Sequence, residues 1–481
     1  MMKARLLILI SFFTIPVLAQ QQESGKKLWT LKECVDQAVK NNIAVRRSEY
    51  TVESRAVDYN QAKLSFAPSI NGNASSGYNW GRGLDPVTNQ FVSSQRIEFT
   101  SVGAQGSLPL FNGLRLQNTL KQTSRELDAS QYDLAKARND VSLNVVTFFV
   151  NVVFAKEQVA NARLQLQSSE QQFERTKKLV AAGTLPQGDA LNLEAQVASN
   201  ELNLVQQENA LALALLQLQQ VMQIPASENF DVEVPDLSPG NFVLDQGREE
   251  IFNVAKGILP EVKSASLKVE SSEYAIKASR GNLVPRLSLN ASINSNFSSS
   301  AEQRFVRDGT FSEVPSGALL DPVTRAPIIQ LVPNGTVQSI YGFSDQMKDN
   351  LYKSMNISLI IPILNGYQAR SAVQRNKIAN KQAELNQLEV DNTLRQNVET
   401  AYNNALAASK TYNSALKQVQ AREEAFRIIK QRYDIGAANF VEYQVSENDL
   451  FRARTDLARA KYDFIFRKKL LDFYQGKPLE F

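Results

Sequence analysis

The chain has 481 residues, a formal net charge of +4, no histidine and a single cysteine, Cys34. A charge that small over this length does not argue for nucleic acid. The missing histidine removes the commonest general base and the usual zinc ligand set, and a lone cysteine cannot close an intrachain disulfide. With no nucleophile motif either, neither catalytic residues, a cofactor nor a metal is expected.

The first predicted element is a signal peptide over residues 1–19. Lys3 and Arg5 supply a positive start, residues 6–18 an apolar core, and Val17-Leu18-Ala19 a small-residue cleavage site before Gln20. The apolar run is short for a membrane-spanning helix. Gln20 stands where a lipidated chain would need cysteine, so the expectation is an exported, unlipidated protein. After residue 19 no stretch reads as a transmembrane helix.

The remainder reads as two repeats, 20–247 and 248–481. Residues 38–68 align with 255–285 at an offset of 217. Each repeat opens with one predicted helix of about 30 residues, 31–64 and 248–281, ending before Pro68 or Pro285. Thr30 is the expected N-cap of the first, with Glu33 at the capping-box position.

After each proline the period changes to two. Ile70, Ala74, Tyr78 and Trp80 alternate with Ser69, Asn71, Asn73, Ser75 and Asn79. A second strand over 96–110 alternates more weakly. In the third, Leu287, Leu289, Ala291, Ile293 and Phe297 oppose Ser288, Asn290, Ser292, Asn294 and Asn296. In the fourth, Leu351, Met355, Ile357, Leu359 and Ile361 oppose Tyr352, Ser354, Asn356 and Ser358. Each alone would suit a soluble sandwich. Four of them, as two hairpins in an exported chain, suit a transmembrane barrel with lipid outside and water inside. The connecting stretches 81–95 and 300–348 are expected to be exposed loops. Both hold Leu-Asp-Pro-Val-Thr, at 84–88 and 320–324, read as an echo of the duplication.

Each second strand runs into a matched exit, Leu108-Pro109-Leu110-Phe111-Asn112-Gly113 and Ile361-Pro362-Ile363-Leu364-Asn365-Gly366, at an offset of 253. A long helix comes next, 115–181 and 367–434, without proline or glycine. Its seam steps by four and three through Phe148, Val152, Ala155, Val159 and Ala162, and again through Ala401, Ala405, Ala408, Tyr412 and Ala415, which suits coiled-coil packing. Gly183 and Gly436 each lie 70 residues beyond the exit glycine. Helices over 186–222 and 439–475 then return. The 34-residue opening helix and the 37-residue return helix, end to end, come close to the 67 of the long one, so two short helices could run beside it.

Four membrane strands cannot close a barrel, because the smallest need about eight. Other copies must complete the sheet; two would give eight strands and three would give twelve.

These motifs resemble the TolC family of outer-membrane factors, the exit ducts of tripartite efflux pumps and type I secretion systems. The resemblance rests on Leu31-Lys32-Glu33-Cys34-Val35-Asp36-Gln37-Ala38, the two strand exits and Arg432-Tyr433-Asp434-Ile435-Gly436, in this order over nearly the whole mature chain. It implies a mixed α and β membrane protein: a homotrimer in outer-membrane lipid, with four transmembrane β-strands per chain in a 12-stranded barrel, continued by an α-helical coiled-coil tunnel in the periplasm. It also implies a periplasmic adaptor and an inner-membrane pump as partners, and places 223–247 and the tail from Gly476 around the tunnel's middle.

The same resemblance suggests site residues. Gly183, Thr184, Ile435, Gly436 and Ala437 match tips offered to the adaptor, though a glycine there is equally a helix C-cap. Glu442, about a turn and a half into the last helix, matches an acidic constriction of the tunnel entrance. Three copies would make a cation-attracting ring, against the alternative of a solvated carboxylate. A second acidic position of the family is Val445 here. Tyr433 matches a tyrosine that holds the closed entrance, or it packs on the seam. Tyr78, Trp80, Phe99 and Phe297 are candidates for the aromatic girdle. The rival reading is an exported coiled-coil scaffold or adhesin without a pore.

Overall fold

The structure is a computed structural model. It describes residues 28–85, 87, 89, 91–92, 96–226, 229–235, 247–301, 304–319, 325, 327–338 and 341–477. The expected signal peptide, the whole Leu-Asp-Pro-Val-Thr copy at 320–324 and part of the 223–247 linker lie outside them.

In chain order the elements are β1 (Leu28–Trp29), α1 (Leu31–Asn41), α2 (Ile43–Leu64), β2 (Ser69–Trp80), β3 (Gly83–Leu84), β4 (Phe91–Val92), β5 (Arg96–Phe111), α3 (Arg115–Ala181) and α4 (Gln187–Met222). The second half adds β6 (Asp231–Val232), α5 (Arg248–Ile258), α6 (Pro260–Arg280), a 3₁₀ turn (Gly281–Leu283), β7 (Arg286–Ser298), β8 (Arg304–Leu319), β9 (Pro327–Gln338), α7 (Phe343–Asp349), β10 (Tyr352–Ile360), α8 (Gln368–Asp434) and α9 (Phe440–Tyr474). They fall into two compact units. One takes the chain up to Tyr50, Asp133–Val262 and everything from Val390; the other takes Thr51–Tyr132 and Lys263–Glu389. Each unit therefore draws on both sequence halves.

The first unit is helical. Thr30 caps α1 as expected: its hydroxyl accepts from the Glu33 amide, and the Glu33 carboxylate accepts from the Thr30 amide at 3.1 Å. Leu31, Cys34 and Ala38 recur at helical spacing and bury one face of α1 in a core with Val145, Phe149, Val152, Leu218 and Met222. A second core repeats the plan with Ile251, Phe252 and Ala255 of α5 against Val398, Ala401, Ala405 and Leu471. β1 and β6 form a small parallel pair, missed in the sequence because each is two residues long. Lys156 ties it down with a 2.5 Å ion pair to Asp231 and a 2.6 Å bond to the Val232 carbonyl.

The opening helices differ from expectation, since each is broken. Asn42 is extended between α1 and α2, and its side chain accepts from the Ala44 amide at 2.8 Å, restarting the helix. Leu259 is extended between α5 and α6, where Pro260 biases the residue before it away from the helix. α3 also departs from the reading of no membrane-length helix: it holds a window apolar and long enough to cross one. Val145, Phe149, Val152 and Val153 of α3 are buried in the core.

The second unit carries an antiparallel four-stranded sheet in the order β10-β7-β5-β2. Paired residues share a face, so the register sorts the side chains. Ser69, Asn71, Gln105, Ser107, Asn290 and Ser292 line one concave polar face. It is laced across strands by Ser107 to Asn290 at 2.9 Å, Asn290 to Asn356 at 3.2 Å and Ser292 to Ser354 at 2.7 Å. Ile70, Val102, Ile293, Met355 and Ile357 lie on the other face, exposed.

The stretches read as loops are not plain loops. β3 pairs with β4, and β8 with β9 in a long hairpin that leads into α7. Register shifts at Arg307/Phe311 and Pro315/Leu319, with Gly309 and Gly317 at positive φ, break the alternation that would have revealed β8.

At the exit of β5 the backbone makes a close approach. Gly113 has φ +66°, and a Cβ on it would lie 2.8 Å from the Gly281 carbonyl oxygen; a Cβ on Gly281 would lie 2.9 Å from the Gly113 carbonyl oxygen. Gly113→Ala and Gly281→Ala should each cost about 1–3 kcal/mol. Urea unfolding monitored by circular dichroism checks this, and an unchanged midpoint for either would show that the backbone there gives way freely.

Candidate functional site

The two helical turns at Gly183 and Gly436 are built alike. Gly183 has φ +75° and Gly436 has φ +74°. The Thr184 amide donates to the Leu179 carbonyl at 3.0 Å and the Ala437 amide to the Arg432 carbonyl at 2.7 Å, the long bonds of a Schellman turn. Nothing lies within 4 Å of a Cβ at either glycine, so backbone conformation and not space calls for glycine. The turns differ in how they are locked. The Thr184 hydroxyl donates to Leu179 at 2.8 Å, whereas the Arg432 guanidinium reaches the Ala437 carbonyl at 3.0 Å. Gly183, Thr184, Ile435, Gly436 and Ala437 are all exposed, Ile435 by 80%.

Beside the second turn, Asp434 pairs with Arg175 of α3 at 2.7 Å. The Tyr433 ring lies 4.9 Å from that of Tyr443 and 6.5 Å from that of Phe440, tilted against both. Burial pushes its hydroxyl pKa up, with a hydrogen bond to Thr176 pulling back. Tyr433 thus packs between α8 and α9.

Glu442 is the third residue of α9, not a turn and a half in. Asn439 caps the helix by accepting from the Glu442 amide at 2.8 Å, which starts α9 at Phe440. The Asn439 amide in turn donates to the Glu442 carboxylate at 3.0 Å. A carboxylate in a first turn also suits the helix dipole. Val441, Glu442 and Val445 share the exposed side of α9, while Tyr443, Glu447 and Leu450 take the buried side.

Glu447 went unread in the sequence. It is 9% exposed and accepts from Ser168 at 2.6 Å and from the Tyr443 hydroxyl at 3.2 Å. Burial, and then the Glu447 charge, push the Tyr443 hydroxyl well above its usual range. Next to it, Asn200 of α4 donates to Ser169 of α3 at 3.0 Å, and Gln165 of α3 to Asn448 of α9 at 3.3 Å. A polar band therefore joins α3 to both return helices. The signal was a carboxylate at seam spacing, four after Tyr443 and three before Leu450.

The four aromatic candidates separate by face. Tyr78 and Trp80 adjoin at 6.1 Å on the apolar face, with Arg96 4.6 Å over the Tyr78 ring. Phe297, opposite Thr100, shares that face and packs on Phe343 of α7 at 5.1 Å. Phe99 does not. It is opposite Gly77 and Ser298, on the polar face, and its ring covers Gly77 at 3.3 Å from a built Cβ. A bulky ring over a glycine fills the gap in the strand, which is a reason for Phe99 apart from lipid. Among the described residues no group of three or more metal-ligating side chains converges.

The sequence matches the outer membrane efflux protein family over residues 34–222 and 255–467. It is 21% identical over 441 residues to the outer membrane efflux protein BepC of Brucella suis, covering 91% of this chain and 83% of that one. It is 22% identical over 335 residues to the outer membrane protein TolC of Escherichia coli, covering 68% and 59%. The crystal structure of the outer membrane protein VceC of Vibrio cholerae superposes with a TM-score of 0.73 at 13% identity, over 94% of this chain and 97% of that one. A polar-faced sheet, paired long helices and these matches agree, and the chain belongs to the outer membrane efflux protein family, the family of TolC, as an outer-membrane channel protein of mixed strands and tunnel helices.

Proposed function

We propose that the protein is the passive exit duct of a tripartite efflux or type I secretion system, assembled as a homotrimer in the outer membrane. The observation that carries this is the sheet: one face polar, the other apolar, and edge strands β2 and β10 with no strand on their outer side among the described residues. Twelve strands leave an aqueous lumen, where eight would be filled by side chains. The polar face lines that lumen, and Tyr78, Trp80 and Phe297 meet the lipid interface. The chain works as two repeats, 20–247 and 248–481, each giving a hairpin to the barrel and a helical hairpin to the tunnel.

The tips carrying Gly183, Thr184, Ile435, Gly436 and Ala437 receive the periplasmic adaptor, and an inner-membrane pump supplies the energy. Glu442 faces the tunnel entrance, with Val445 making the constriction partly apolar and Tyr433 holding the helices closed. A scaffold or adhesin without a pore has no use for a sheet polar on one face and apolar on the other.

Outer-membrane extracts should contain heat-resistant trimers rich in both helix and sheet, while a soluble monomer would end the duct reading. In planar bilayers these trimers should conduct weakly and be blocked by multivalent cations. Glu442→Ala should relieve the block at least tenfold in blocker concentration, and an unchanged block would remove Glu442 from the entrance. Ile435→Asp should leave trimer yield intact and cut adaptor cross-linking in whole cells at least fivefold; undiminished cross-linking would move the contact away from the second tip.

A further inference from the structure

The outer end of the sheet carries a lock between the two repeats. β7 runs past the end of β10, whose pairing stops at Tyr352 opposite Asn294. Beyond that point α7 takes over. Gln346, 1% exposed, accepts from the Ser298 amide at 3.0 Å and donates to the Ser298 and Ala301 carbonyls, each at 3.1 Å. The Ser298 backbone is thereby satisfied within the second repeat, leaving its hydroxyl for partners elsewhere.

The main partner comes from the first repeat. Asp85, 3% exposed, directly follows β3. Its carboxylate accepts from the hydroxyls of Ser298 and Ser300, the latter at 2.7 Å, and from the Val87 amide at 2.9 Å. A buried carboxylate is costly unless it is hydrogen-bonded, so these donors fix one place for it. Asp85 belongs to the Leu-Asp-Pro-Val-Thr motif at 84–88, whose first copy therefore has a structural task beyond echoing the duplication.

The strand register tells from which side Asp85 arrives. Phe99 faces Gly77 and Ser298, and Ile97 faces Asn79, so all five lie on the polar face. Asp85 meets Ser298 on that face. Ile97 shows that something covers the wall there: it is 9% exposed, while Ser75 and Asn79 of the same face stand open. Ile97, Phe99 and Asn296 share a cavity of about 550 Å³ with Gly83, Leu84 and Asp85. The segment Gly83–Asp85 thus stands off the wall instead of lying flat on it.

We propose that Asp85 holds the first outer connection across the lumen side of the barrel and makes it, with Phe99, the determinant of cargo width at the outer mouth. The inference rests on the duct reading, in which the polar face lines the lumen. Loops folded into an outer-membrane barrel narrow or plug its interior. A connection without such an anchor runs over the surface into solvent. Each copy brings one anchored segment, so the mouth is narrowed once per copy. Narrow cargo passes and wide cargo is turned back.

The test uses the full-length chain with Asn73→Cys, on the polar face of β2. That position lies ~20 Å along the strand from Asn79, at ~3.3 Å per residue. Cys34 is buried, so the unaltered chain serves as the blank. Intact cells are treated from outside with a small sulfonated maleimide and with maleimides on branched polyethylene glycols of increasing size. The small reagent should label Asn73→Cys, and the largest polymers should not. Adding Asp85→Ala should raise labelling by those polymers at least fivefold relative to the small reagent, at unchanged yield of heat-resistant trimer. If Asp85→Ala does not assemble, Ser298→Ala with Ser300→Ala removes the hydroxyl donors and should release the segment likewise. Ready polymer labelling with Asp85 in place, or continued exclusion in an assembled variant lacking the anchor, would overturn the filter and leave the duct standing. Failure of the small reagent to reach Asn73→Cys in every variant, with trimers present, would instead remove the lumen itself, and the filter with it.

Discussion

A β-sheet cannot end in lipid. Each unpaired amide or carbonyl in hydrocarbon costs several kcal/mol. β2 and β10 are 12 and 9 residues long, and about half the backbone groups of an edge strand point outward. The two edges together present on the order of ten or more groups, a penalty of tens of kcal/mol against a typical domain stability of roughly 5–15 kcal/mol. No rearrangement of side chains offsets that. The sheet lacks a membrane-stable form by itself, and the backbone alone demands closure through further copies before any pump or substrate is considered.

That constraint explains how the halves differ. In the first, the exit at Gly113 is sealed against Gly281 within the chain. In the second, the exit at Gly366 opens onto space, with Ile363 and Leu364 uncovered. The first exit is thus closed within the chain, and the second stands open. The tips diverge in chemistry as well. The second carries Arg432 on the Ala437 carbonyl, the Arg175–Asp434 ion pair and the Asn439–Glu442 cap, where the first has a Thr184 hydroxyl bond and no side-chain cap on α4.

Long, uninterrupted periodicity was legible in the sequence. α3 begins and ends where glycine and proline allow, at Arg115 and Ala181, and the four membrane strands lie where alternation marks them. What was hidden depends on single residues working against a strong pattern. Asn42 restarts a helix by capping, and Pro260 bends the residue before it, each inside an otherwise helical stretch. β8 is masked by two irregularities that reset its period. Glu447 is charged, so hydropathy places it outside, yet Ser168 and Tyr443 supply its hydrogen bonds inside. Phe99 was placed by its residue type, whereas its face is set by register with Gly77.

The spacing of 70 residues from exit glycine to tip glycine is filled almost entirely by one uninterrupted helix in each half. Each residue added to a helix rotates the remainder of that helix by about 100°. A one-residue insertion near the middle of α3 would carry Ser168 and Ser169 away from Glu447 and Asn200, breaking the polar band and leaving the buried Glu447 carboxylate with the Tyr443 hydroxyl but without Ser168. Losing one hydrogen bond to a charged group of that kind typically costs about 1.5–3 kcal/mol. Seven residues restore the face to within about 20°, but they displace the tip by ~10 Å along the axis. The return helix would then need the same insertion to keep its partners along α3. A shift in α3 alone would therefore lose both the buried seam and the hydrogen bonds of the band.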